Sequence, residues 1–340
     1  MAFDGVVIAN LVKDLNKYIL NGRISKIAQP ESDELLLTIK GNEGQVRLLL
    51  SASASLPLVY LTKQNKPSPM TAPNFCMLLR KHIAGGRIMA VYQPGMERII
   101  NLEIEHLDEM GDLCRKTLII ELMGKHSNII FCNEDGTIID SIKHISANVS
   151  TVREVLPGRS YFIPQTQEKK NPLETTEAEF MEQAMGKPMP AAKAIYGTYT
   201  GISPVIALEI CFRASIDGDL ATSALSEDEK RRLYRRFSLF MEDVQKGNFA
   251  PNIIKKGKEP LDFAAVTLTQ YEAYEIISYE SISGVLEDYY AEKSVYTRIR
   301  QKSADLRRVV STALERNRKK YDLQLKQLAD TEKKLSLIHI

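Results

Sequence analysis

Eight short apolar runs, LLLTIK, QVRLLLSA, LPLVYLT, RIMAVYQ, RIINLEIE, KTLIIELM, NIIFCN and TIIDSI, follow one another between Leu35 and Ile142. Gly, Asn, Asp or Pro separates them. Runs of this length punctuated by turn residues predict antiparallel strands joined by hairpins. An amphipathic segment precedes them, with Val7, Leu11, Leu15, Tyr18 and Ile19 on one face, and one helix interrupts them. In that helix, NFCMLLRKHIAGG, Phe75, Leu78, Leu79 and Ile83 share a side and a glycine pair offers the C-cap. Arg80, Lys81 and His82 fall on its polar side, where cations are ordinary.

Beyond Asn171 the period becomes helical. TEAEFMEQAM, AAKAIYGTY, SPVIALEICFRAS and SEDEKRRLYRRFSLFMEDV predict four helices with short connections. Ser203 before Pro204 marks one start, and Ser226 with Glu229 makes a capping box at another. Strand-like character returns after Pro251, and a helix is expected from about Leu286 to the end. Along it Leu314, Tyr321, Leu328 and Leu335 recur every seven residues, with Val310 and Leu325 filling part of a second stripe. That is half of a coiled coil. A single such helix lacks a partner, so the chain is expected to be a piece of a longer protein, or to find its partner in another molecule, a dimer included. The fold class expected is α+β, in three parts: a β-rich region over 1–170, a helical region with short strands over 171–285, and the first half of a coiled-coil arm over 286–340.

The 340 residues carry a net charge of only +2, but between Lys293 and Lys334 there are 13 Lys or Arg against 5 Asp or Glu. This gives +8 locally and leaves −6 elsewhere. A basic helix is usually a solvated surface, yet this one also suits RNA phosphates. No apolar run approaches the roughly 20 residues that span a bilayer. The start, MAFDGVVIANLVKDL, lacks the cation-then-apolar order of a secretory signal. A cytoplasmic protein is expected. Cys76, Cys114, Cys132 and Cys211 are widely spaced in apolar surroundings, which suggests buried thiols and neither disulfides nor zinc.

Candidate chemistry is sparse. HLDEMGD (106–112), with Glu103 and Glu105, superficially offers metal ligands but reads as a solvated hairpin tip; no metal or cofactor is expected. No HxxxH, GxSxG or GxxxxGK[ST] pattern occurs among the 340 residues, so a hydrolase or nucleotidase has no motif beneath it. Two turns stand out. GKHSN (124–128) places Lys125, His126 and Asn128 where only the glycine was needed; Lys125 and His126 suit an RNA backbone and Asn128 a base edge, or the loop is merely shaped by them. TGISPVIALEICFRASI (200–216) enters a helix through Gly201, Ile202 and Ser203, a turn whose backbone amides suit a phosphate oxygen.

This second stretch resembles the corresponding turn of formamidopyrimidine-type DNA glycosylases. Those enzymes attack with an N-terminal proline beside a glutamate; Ala2 and Phe3 occupy those positions here, so a glycosylase activity is not expected. The combination of MAFDGVVIANLVKDL, FCMLLRKHIAGGRI, YQPG, ELMGKHSNIIF, GISPVIALEI and LEDYYAEKS resembles the NFACT family, long labelled fibronectin-binding protein A. That resemblance covers nearly the whole chain. It implies a glycosylase-like N-terminal domain, a helix-hairpin-helix domain and a coiled-coil arm. It further implies a non-catalytic factor of ribosome-associated quality control, which binds the large ribosomal subunit and its ribosomal RNA beside a stalled peptidyl-tRNA. Such a factor recruits tRNA, alanyl in bacteria, for template-free extension of the nascent chain. The family's Asp-Arg pair for tRNA handling corresponds to Glu97 and Arg98, with one methylene more on the acid. Read from residues alone, the same pair is a water-exposed ion pair at a turn end. The remaining alternatives are a fibronectin-binding surface adhesin and a nucleic acid binding protein of glycosylase ancestry.

Overall fold

The computed structural model describes residues 3–164, 168–257 and 259–340; the side chains of residues 259, 292–305, 336 and 339 are outside the description. Ala2 and the opening of the basic stretch, from Lys293, therefore lie outside the described side chains. The chain divides into two compact units, Met1–Glu287 and Asp288–Ile340.

The first unit starts with α1 (Gly5–Ile19), capped by Asp4, whose carboxylate accepts from the amides of Val6 and Val7. Val6, Val7, Ile8, Leu11, Leu15 and Ile19 are wholly buried or nearly so. At about 1.5–3 kcal/mol for each fully buried Val, Leu or Ile side chain, this stripe fixes the helix onto the sheet. Nine strands, β1 (Arg23–Glu31), β2 (Glu34–Gly41), β3 (Gly44–Ser51), β4 (Leu58–Thr62), β5 (Arg87–Tyr92), β6 (Ile99–Leu107), β7 (Leu113–Glu121), β8 (Asn128–Asn133) and β9 (Ile138–Ser141), form one sheet. Its order is β4-β3-β2-β1-β5-β6-β7-β8-β9, with antiparallel neighbours throughout.

All eight expected strands are present. The expected helix α2 (Asn74–Ile83) is present too. β1 is an addition to them: RISKIAQPE is polar, contains Pro30, and pairs with β2 through two register irregularities, so no clean alternation marks it. The turn HLDEMGD caps the β6–β7 hairpin, where Asp108 accepts from the amides of Met110 and Asp112. Three of the four cysteines are buried as expected; Cys114 is half-exposed, its sulfur 3.2 Å from Nε2 of His106.

The helical stretch contains α3 (Glu177–Phe180) with a wide turn continuing to Met185, α4 (Ala191–Thr198), α5 (Pro204–Arg213) and α6 (Glu227–Lys246). Ser203 caps α5, and Ser226 with Glu229 forms the capping box of α6. Phe180, Tyr199, Tyr234 and Phe237 pack ring against ring, with centroids 4.8–6.1 Å apart. A second sheet, β11 (Glu259–Ala264), β10 (Asn252–Lys256) and β12 (Glu275–Ser278) in that order, follows. β12, a four-residue EIIS among tyrosines and glutamates, has no readable pattern. α7 (Ile282–His339) starts four residues before the expected Leu286. In the second unit Leu314, Tyr321, Leu328, Leu335, Val310 and Leu325 are all exposed.

Candidate nucleic-acid interface

Three backbone segments distant in sequence meet at the start of α1. The amide of Gly5 donates to the Gly201 carbonyl (2.8 Å), and Gln93 Nε2 donates to the carbonyls of Gly5 (3.0 Å) and Glu97 (2.8 Å). A Cβ on Gly5 would stand 2.5 Å from the Met96 oxygen and 2.7 Å from the Gly201 Cα. Gly201 has φ +75°, and a Cβ there would also run into the Met96 carbonyl. Neither position has room for a side chain, which explains the glycines at both. The 93–98 loop between β5 and β6 is thereby clamped against the turn that enters α5.

Asp4 locks this junction. Ser203 Oγ lies 2.5 Å from Asp4 Oδ2 while accepting from the Ile206 amide (3.3 Å), so one carboxyl and one hydroxyl serve the starts of both α1 and α5. Burial pushes the Asp4 carboxyl up to about 6, although its hydrogen bonds to Ser203, Val7 and Val6 oppose the rise. Of the turn expected to hold phosphate, Gly201 is consumed by the packing, Ile202 is buried, and the Ser203 hydroxyl is engaged within the protein.

Glu97 and Arg98 sit on the clamped loop. The Arg98 carbonyl accepts from the Leu122 amide (2.9 Å), which ties this loop to the end of β7. The Arg98 side chain is exposed and makes no hydrogen bond or ion pair among the described residues. Glu97 is half-buried; burial raises its carboxyl pKa, while Arg98 and then Lys169 pull it down. Lys169 is the residue that the sequence does not single out. Its ammonium donates to the Tyr196 carbonyl (2.9 Å), and its pKa is lowered by burial and by Arg98, with Glu97 opposing. Its only local signal is the KK pair ahead of Asn171-Pro172, which reads as a boundary. The strand-like pairing of Lys170 with Thr198 and Thr200 brings Lys169 to the loop.

The GKHSN turn lies just past the β7 end that receives Arg98. Gly124–His126 forms a single tight helical turn; Gly124 has φ +58°, and Lys125 and His126 are exposed. Asn128 is 2% exposed and spends its amide internally: Oδ1 accepts from Ile129 (2.9 Å) and Lys143 (3.1 Å), and Nδ2 donates to the Lys143 carbonyl (2.9 Å). Base-edge reading by Asn128 is thus replaced by loop shaping. Beneath this turn Glu121, fully buried, pairs with Arg153 and accepts from the Tyr161 hydroxyl (2.9 Å). Among the described residues no group of three or more His, Cys, Asp or Glu is placed to hold a metal ion, and no helix is long and apolar enough to cross a membrane.

A family model described as the NFACT N-terminal and middle domains matches residues 4–338. The chain belongs to the NFACT family. It is 34% identical over 322 residues to a protein named Rqc2 homolog RqcH from Bacillus subtilis (strain 168), covering 94% of this chain and 54% of that one. A protein of the same name from Streptococcus suis (strain 05ZYH33) is 31% identical over 333 residues, covering 98% and 56%. The chain thus spans about half the length of these relatives. Among solved structures, the fibrinogen binding protein from Staphylococcus aureus superposes with a TM-score of 0.72 at 30% identity, over 85% of this chain and 99% of that one. The family resemblance read from the sequence motifs is therefore shown, and so is the α+β fold with its large antiparallel sheet.

Proposed function

We propose that this NFACT chain acts in ribosome-associated quality control. In this reading it binds the large ribosomal subunit, through ribosomal RNA, beside a stalled peptidyl-tRNA, and positions a tRNA, alanyl in bacteria, for message-free extension of the nascent chain. The observation that carries the reading is Arg98: an exposed guanidinium with no hydrogen bond or ion pair among the described residues, on a loop fixed by the Gly5–Met96–Gly201 junction, beside Glu97 and the Lys169 ammonium. A guanidinium forks onto phosphate oxygens or stacks on a base, and a carboxylate beside it accepts from a base amine. Lys125 and His126 extend the same loop end of the sheet.

The protein supplies no nucleophile in this scheme; peptide-bond formation stays with the ribosome, and the work takes place in the cytoplasm. α4, the 199–203 turn and α5 are taken as a helix-hairpin-helix element, the sheet region as glycosylase-like by descent, and α7 as one half of a coiled coil. The names of its relatives, Rqc2 homologs, support this reading. Sedimentation of the full-length protein with purified large subunits carrying peptidyl-tRNA tests it: cosedimentation that empty large subunits do not support is expected, and equal recovery with both, or with neither, refutes it. A second reading, matrix binding at the cell surface, is favoured by the fibrinogen-binding name of the Staphylococcus structure. Binding to immobilised fibrinogen or fibronectin that survives Arg98→Ala, together with absence from ribosomal fractions, would establish that reading instead.

A further inference from the structure

α6 carries a second basic surface that the Arg98 loop does not include. Between Lys230 and Met241 the helix has five cations, Lys230, Arg231, Arg232, Arg235 and Arg236, and no acid. Its apolar stripe, Leu233, Phe237, Phe240, Met241 and Val244, is buried, so the arginines lie on the outer side. Two of the cations have internal work: Lys230 pairs with Glu227 (2.8 Å), and Arg232 Nε donates to the Ala214 carbonyl (2.8 Å). Arg235 and Arg236 are exposed and make no hydrogen bond or ion pair among the described residues. Arg231 lies 3.9 Å from Glu177, with both side chains more than half exposed.

Arg231 and Arg235 are one turn apart, about 6 Å along the axis, and Arg236 borders them. A surface whose role is only solubility normally intersperses both signs along the helix. A row of forked cations with its own acids confined to the ends of the helix complements a string of phosphates. Tyr234, between the two arginine pairs, packs on Phe180 and reaches the Thr175 carbonyl (3.4 Å), which follows in the chain from the Lys169–Asn171 segment beside Glu97 and Arg98.

We propose that Arg231, Arg235 and Arg236 form an RNA-backbone binding surface distinct from the Arg98 loop, which grips successive phosphates of a folded RNA without reading its bases. This rests on the RNA-binding reading above. The test is fluorescence anisotropy of the full-length protein with a labelled RNA duplex across a salt series. The variant is Arg231→Gln/Arg235→Gln/Arg236→Gln, which keeps good helix formers and leaves the buried stripe untouched. Its control removes equal charge from exposed positions on the sheet and just past its β4 strand, Lys26→Gln/Lys40→Gln/Lys63→Gln.

The slope of log K against log salt is expected to become shallower by about 2 in the α6 variant, at about 0.7–0.9 for each phosphate that is no longer neutralised. The control should keep the wild-type slope, and Arg231→Lys/Arg235→Lys/Arg236→Lys should largely restore it. Equal slopes for wild type and the α6 variant, or equal losses in variant and control, overturn the α6 surface while leaving the Arg98 reading intact. No RNA binding by the wild type overturns both.

Discussion

Asp4→Asn is expected to make stability less sensitive to pH between about 4 and 6. The wild-type carboxyl sits at about 6 in the folded protein against 3.8 when unperturbed, with burial as the main cause. The folded state therefore binds this proton more tightly than the unfolded chain. The stability that the neutral carboxyl contributes is fully present below about pH 3.8 and is lost as pH rises through about 6. At about 1.4 kcal/mol per pH unit of separation, the loss is about 3 kcal/mol by pH 7. Asparagine is nearly isosteric, does not titrate, accepts from the Val6 and Val7 amides through its oxygen, and offers an amide proton to Ser203 Oγ. Urea denaturation of both proteins at half-unit steps from pH 4 to 7.5 isolates this group, because other carboxylates, including the buried Asp14 and the half-buried Glu97, are common to both. The variant's stability relative to wild type should rise by about 2.5 kcal/mol across the series. A difference that stays flat with pH would refute the assignment of a buried, late-ionising carboxyl to Asp4.

Gly201→Ala should disrupt the junction by more than about 3 kcal/mol, since it combines a left-handed backbone with a clash against the Met96 carbonyl; thermal melting that shifts by less than a degree would count against the close approach. Arg153→Ala strands the buried Glu121 carboxylate and is expected to cost about 3–5 kcal/mol by chemical denaturation, more than an exposed pair such as Lys81–Glu109 returns when cut. Asn128→Ala leaves the amides of Ile129 and Lys143 and the Lys143 carbonyl without this partner. It should lower stability by about 1–3 kcal/mol, whereas Lys125→Ala, one turn away and exposed, should change melting by about 0.5 kcal/mol or less.

Local pattern carries most of the sheet and nearly all of the helices into view. Strands such as LLLTIK and KTLIIELM announce themselves because their buried residues are contiguous or alternate cleanly. β1 does not, because bulges break its alternation and Pro30 argues against a strand. Capping chemistry at Ser203 and Ser226 is readable since the cap and its partner lie within three residues. The junction is not, because it joins positions 4–5, 93–98 and 199–203. GISP can be recognised as a turn entering a helix, but that Gly201 packs on Gly5 and Ser203 reaches Asp4 is a tertiary fact without local signature. The same holds for Lys169, brought to Glu97 and Arg98 by pairing with the α4–α5 turn. GKHSN divides between the two readings it allows: Asn128 shapes the loop, and Lys125 and His126 face solvent.

The central claim, that Arg98 holds tRNA, is tested most directly by sequencing the RNA that copurifies from the native host with tagged full-length protein, wild type beside Arg98→Ala, at matched moderate salt. Because the Arg98 side chain is exposed and makes no hydrogen bond or ion pair among the described residues, its removal should alter stability by about 0.5 kcal/mol or less, while loss of a charged hydrogen bond worth about 1.5–3 kcal/mol lowers affinity about 10- to 100-fold. The account predicts large-subunit RNA with one enriched tRNA for the wild type, and selective loss of that tRNA from the variant. Recovery of the same tRNA at the same level in both, or of neither RNA above an untagged control, would contradict it.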